Sequence, residues 1–79
     1  MLRKPIKTKD LIKILKKFGF VGKRTKHGHT IFAHAKTGLV VTLPTNRTEV
    51  PSVYLRSIER QIGNFNIASD HEFERMLRS

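Results

Sequence analysis

Apolar residues change their period twice along the chain, and each change marks a new kind of element. Leu11, Ile14, Leu15 and Phe18 recur at i, i+3, i+4 and i+7, one face of a helix running from Thr8 or Lys9 to Phe18. Thr8 is placed to cap its start, Asp10 suits the positive helix end, and Gly19 suits the position just past its close. Lys9, Lys13, Lys16 and Lys17 fall mostly off the apolar face, as a solvated helix surface requires. The period then shortens to two. Strands are predicted over Phe20 to Thr25, His29 to His34 and Leu39 to Leu43. Lys26-His27-Gly28 fits a tight hairpin turn and Ala35-Lys36-Thr37-Gly38 a second one. In the third strand Leu39, Val41 and Leu43 alternate toward a core. In the second, Ile31 with Ala33 competes with Phe32 for the buried side, so the pattern leaves the face of His29 open.

Pro44 to Val50 reads as a polar loop carrying Arg47. A second helix is expected from Ser52 to Ile62, with Tyr54, Leu55, Ile58 and Ile62 as its apolar stripe and Gly63 as its terminator. Arg56 and Arg60 lie four apart on it. Ser69 to Leu77 reads as a third helix with a capping box, Ser69 at the cap and Glu72 three residues on. Residues 1 to 7 are expected to form a short mobile basic arm. The order is α-β-β-β-α followed by a small helix, in a single domain of 79 residues with a C-terminal extension over 64–79.

Composition narrows what such a domain does. Sixteen Lys and Arg against six acids give a formal charge of +10. Fourteen of the cations and only Asp10, Glu49 and Glu59 among the acids lie in residues 1–60, so the body is strongly basic and the last nineteen residues are slightly acidic. Such a charge favours a polyanion as partner. There is no cysteine, so no disulfide or thiolate zinc site supports a core of this size. No apolar run approaches the roughly 20 residues of a membrane span. Met1 to Pro5 lacks the apolar run of a secretory signal, and the chain is expected to act in the cytoplasm, away from membranes.

The chemistry concentrates in Lys23 to His34, which holds three of the four histidines. His27, His29 and His34 are too sparse for a metal site, because His34 falls on the opposite strand face by parity and no acid lies nearby. Scattered carboxylates likewise argue against a two-metal nuclease centre, so neither metal nor cofactor is expected. Acid–base attack on RNA needs less. RNA carries its own nucleophile, the 2′-OH, so one histidine can take that proton or protonate the leaving oxygen. Neighbouring cations then stabilise the charge that grows on phosphorus. His29 beside Lys23, Arg24 and Lys26 offers that combination.

Several segments together resemble the HicA toxin family of prokaryotic toxin–antitoxin systems. Asp10 to Phe20 is similar to its opening helix with a Gly-Phe exit. Lys26-His27-Gly28-His29-Thr30-Ile31-Phe32 is similar to its Gly-Ser-His hairpin, with His27-Gly28 standing where Gly-Ser is usual. Val41-Thr42-Leu43-Pro44, Val50 to Ile58 and the helix from Ser69 to Leu77 resemble its later elements in order and spacing. The resemblance implies an α+β fold of the double-stranded-RNA-binding type, a three-stranded antiparallel sheet with its helices on one face. It implies a translation-blocking endoribonuclease acting on mRNA and silenced by a HicB-like antitoxin, with the catalytic role falling on His29. Lys23, Arg24, Lys26, His27, Gly28, Arg47 and Arg56 make up the candidate RNA-binding set, with the lysines of the first helix as further contributors. The rival is a non-catalytic module that holds RNA through its basic face, for which His29 is dispensable. DNA binding ranks behind both, since no recognition helix is evident.

Overall fold

A computed structural model describes residues 5–78, except for the side chains of residues 24 and 78. The elements are β1 (Ile6–Lys7), α1 (Thr8–Lys17), β2 (Phe20–Lys26), β3 (His29–His34), β4 (Val40–Pro44), β5 (Glu49–Val50), α2 (Ser52–Asn64) and α3 (Asp70–Arg78). β2, β3 and β4 form an antiparallel sheet in that order, and β1 pairs with β5 in a separate two-stranded ribbon. The chain is thus α+β with the order of the double-stranded-RNA-binding fold. Among the described residues no helix is long and apolar enough to cross a membrane.

The core lies between one face of the sheet and the helices. Leu11, Ile14 and Leu15 of α1 and Leu55, Ile58 and Ile62 of α2 meet Phe20, Phe32, Val41 and Leu43, with Phe73 of α3 fully buried among them. Burial of aliphatic and aromatic surface is the main drive for a chain this short. The contest in β3 goes to Phe32, which is buried with His34, while Ile31 and Ala33 are only half-buried. Gly22 lies opposite Phe32 in the register, and a Cβ there would sit 3.4 Å from the Phe32 ring.

Several boundaries differ from the sequence expectation, each for a local reason. Thr8 does not cap α1. It is the first helical residue, and its hydroxyl donates instead to the Arg47 carbonyl at 2.7 Å. Ile6–Lys7 belongs to the β1–β5 ribbon rather than to a free arm, while residues 1–4 lie outside the described residues. The loop after β4 is correspondingly short, because Pro44 ends β4 and Glu49–Val50 forms β5. Gly63 does not end α2. The helix runs to Asn64, and Asn66 takes the left-handed conformation at φ 56°. There the Ile67 N–H donates to the Ile62 carbonyl and the Asn66 N–H to the Gly63 carbonyl, both at 3.0 Å. Those two bonds are the Schellman pattern, and asparagine tolerates it next best after glycine.

Tyr54 also leaves its predicted stripe. It is 37% exposed, and its hydroxyl donates to the Thr42 carbonyl of β4. Partial burial pushes the Tyr54 phenol pKa upward, which keeps that donor proton in place. Glu59 takes the fourth buried position on α2. The capping box of α3 is present as expected: Glu72 N–H donates to Ser69 Oγ at 3.1 Å and Ser69 N–H to Glu72 Oε1 at 3.4 Å. α3 packs on its own core, with Phe73 against Phe18 at 6.1 Å between ring centres.

Candidate active site

Strand alternation places His29 on the side of the sheet away from the helices. β3 pairs with β4 without interruption from His29 to Ala33, so His29 shares a face with Ile31 and Ala33, opposite the buried Phe32 and His34. Lys26 is its cross-strand partner in β2 and Pro44 its partner in β4. The site therefore sits at the end of an open sheet face, one residue from a hairpin tip, and is solvent-exposed.

The tip itself is a two-residue turn in which His27 has φ 51° and Gly28 φ 78°. Two consecutive positive φ angles define the type I′ turn, whose twist matches that of the strands it joins. The turn aims the His27 carbonyl back at the ring of His29, with Nδ1 3.1 Å from that oxygen. A carbonyl only accepts, so the proton lies on Nδ1 and the neutral ring keeps a free lone pair on Nε2. That nitrogen can take a proton, and in the imidazolium it can give one.

The tip is braced from the opposite side. The Gly28 carbonyl accepts the Asn46 N–H at 3.1 Å and the Thr45 hydroxyl at 3.3 Å. Thr45 Oγ1 is 3.0 Å from Thr30 Oγ1, which is 2.8 Å from Thr25 Oγ1. Since Thr45 donates its one proton to Gly28, the chain is polarised: Thr30 donates to Thr45 and Thr25 to Thr30. A Cβ on Gly28 would meet the Asn46 side chain at 2.8 Å, so the site requires glycine for both space and φ.

His34, by contrast, is structural. Thr37 N–H donates to its Nδ1 at 3.2 Å, so Nε2 carries the proton and donates to the Phe18 carbonyl at 2.8 Å. The ring lies edge-on to Phe20 and ties the end of α1 to the turn between β3 and β4. No three His, Asp or Glu side chains come together as a ligand set among the described residues.

The predicted RNA-binding residues do not form one cluster. Lys26, His27 and Gly28 stand with His29 at the tip. Lys23 is the extra residue of a bulge between Gly22 and Arg24, and it lines a groove on the helix side of the sheet with Ile12 and Lys16. Arg24 pairs with Ile31 through its backbone, and its side chain lies outside the described residues. Arg47 stands near α1 with Lys7 and Lys9. Arg56 lines a separate concavity of about 610 Å³ between α2 and the start of α3, with Arg60, Asp70 and Glu72. Sequence reasoning did not reach Thr25, Thr30, Thr45 and Asn46, the residues that brace the tip. Threonine at strand ends is too common to signal such a role.

A family model described as the HicA toxin of bacterial toxin–antitoxin systems matches residues 8–63, from the first residue of α1 nearly to the end of α2. The chain belongs to the HicA toxin family. No curated protein and no solved structure matches it. As a HicA toxin it is the toxin half of a toxin–antitoxin pair, and the family implies an antitoxin partner. The matched span contains His29 and all the residues that brace it; α3 lies beyond it.

Proposed function

We propose that this HicA toxin is a metal-independent endoribonuclease that cleaves mRNA, with His29 as its acid–base residue. The observation that carries the reading is the His29 Nδ1 to His27 carbonyl contact of 3.1 Å, which leaves Nε2 of the exposed ring able to exchange a proton. In the first step Nε2 takes the proton of the 2′-OH, and the 2′ oxygen attacks the adjacent phosphorus. The P–O5′ bond breaks, leaving a 2′,3′-cyclic phosphate and a 5′-OH end, the 5′ oxygen receiving a proton from water or from the imidazolium. Lys26, across the strand pair, stabilises the charge on the phosphoryl oxygens. The His27 carbonyl meanwhile accepts from the Nδ1–H and stabilises the imidazolium as it forms.

The deciding comparison is RNA degradation by wild type and His29→Ala, each with and without EDTA. The reading expects cleavage by wild type in both conditions and by the variant in neither. Undiminished cleavage by the variant would refute the role of His29, and loss of wild-type cleavage in EDTA would refute metal independence. Unimpaired RNA binding with no cleavage by either protein would favour the non-catalytic RNA-binding module instead.

A further inference from the structure

Lys26 stands across the strand pair from His29, whereas Lys16 and Lys23 line a groove on the helix side of the sheet and Lys7, Lys9 and Arg47 line a cavity at the start of α1. Two open cavities of about 560 and 600 Å³ run along one flank of α1 there. The first is lined by Lys7, Lys9, Thr45 and Arg47, the second by Lys16, Lys23, Thr25 and Thr30. They join. Ile12 of α1 lines both, and on the sheet side the 3.0 Å contact of Thr45 with Thr30 bridges them. Lys9, Ile12 and Lys16 recur at i, i+3 and i+7, so one helix face forms the whole length of one wall. The lining holds five cations, Lys7, Lys9, Lys16, Lys23 and Arg47, against the single acid Glu49.

We propose that this trough holds single-stranded RNA beyond the scissile phosphate, as a second contact that rests on the reading of RNA as the substrate. Three features fit that ligand together. The cations flank the trough where a sugar–phosphate backbone would run. Ile12, half-buried on α1 between Lys9 and Lys16, gives the wall an apolar patch that the face of an unpaired base can cover. Along the threonine chain each hydroxyl spends its one proton on the next, Thr25 on Thr30, Thr30 on Thr45 and Thr45 on the Gly28 carbonyl, so Thr25 and Thr30 keep only acceptor capacity for a ligand. Acceptors of that kind match ribose 2′-OH donors and offer nothing to a phosphate oxygen. The same chain braces the tip that presents His29, so an RNA seated in the trough loads the element that aims the base.

The test uses the full chain carrying His29→Ala, which removes cleavage from the measurement. Binding of a short labelled single-stranded RNA is followed across salt concentrations, with and without the further pair Lys9→Gln and Lys16→Gln. Removing one lysine–phosphate pairing should flatten the slope of log K against log salt by about 0.7, so the double substitution should flatten it by about 1.4. Lys23→Gln at the bulge, on the opposite wall, should flatten it by a further ~0.7. Lys36→Gln, in the exposed turn after β3, should leave it unchanged. An unchanged slope in the Lys9 and Lys16 pair overturns the proposal, as does an equal drop per residue in Lys36→Gln. RNA binding that stays intact while antitoxin binding disappears also overturns it, and assigns the trough to an acidic protein surface. Failure here leaves the nuclease reading standing if wild type cleaves. A flattened slope without wild-type cleavage would instead keep the trough and remove the nuclease.

Discussion

His29 and His34 stand five residues apart on one strand and face opposite ways, one bonded to the carbonyl of its own turn and the other to the end of α1. The exposed ring keeps a free nitrogen, while both nitrogens of the buried one are engaged. Their substitutions should therefore fail differently.

His29→Ala removes an exposed side chain and should leave the unfolding midpoint nearly unchanged. Losing a positioned acid–base group costs roughly 10²–10⁴ in rate, so cleavage should fall by that much while RNA affinity holds. Single-turnover cleavage alongside direct binding measures both. A fall in affinity that matched the loss of rate would point to binding as the role of His29.

His34→Ala should lose stability rather than chemistry. It strands the Phe18 carbonyl and the Thr37 N–H and opens a cavity beside Phe20, a combined cost of about 2–4 kcal/mol. Denaturant unfolding should show the loss, and cleavage per folded molecule should remain. A variant as stable as wild type would disprove the latch.

The turn separates backbone from side chain. Gly28→Ala meets Asn46 and a positive φ, and should cost about 1–3 kcal/mol and reduce cleavage by displacing the His27 carbonyl. His27→Asn keeps the carbonyl and suits a type I′ turn, so activity should survive and stability hold or rise. If His27→Asn is instead inactive although folded, the imidazole of His27 takes part in the chemistry.

Ser69→Ala removes the hydroxyl that accepts the Glu72 N–H and should cost about 1 kcal/mol. Because Phe73 anchors α3 in the core, the effect should spread as faster amide exchange along α3 and in Phe18. Exchange confined to residues 69–72 would show that α3 docks independently of its cap.

The antitoxin is expected to cover the hairpin from Lys23 to His34. Opposite charge would speed its encounter with this basic body, and coverage of His29 would exclude RNA by competition. The open sheet face offers it the cross-strand row Val21, Ala33 and Val40, whose two valines are about half exposed. Protection mapping of the complex should show these residues and His29 covered. Simultaneous binding of RNA and antitoxin with His29 exposed would mean that inhibition works by another route.

The order of helices and strands was legible in the chain because it depends on local period. Leu11 to Phe18 can bury one face only as a helix, and Leu39 to Leu43 only as a strand. Gly19 and the Ser69–Glu72 box were legible too, since caps act within a few residues. Asn66 rather than Gly63 closes α2 through two bonds of its own turn, whereas whether Thr8 caps α1 or bonds Arg47 depended on where a distant segment came to rest. The same holds for the site. The basic hairpin and its histidine stand out in one dimension, but the face of His29 is decided by Phe32 and His34 packing inward. The bulge at Lys23 then puts that lysine in the trough along α1 rather than beside His29. Strand parity and bulges are set by pairing with other strands and burial against the helices, so only the folded chain decides which cations share a face with which histidine.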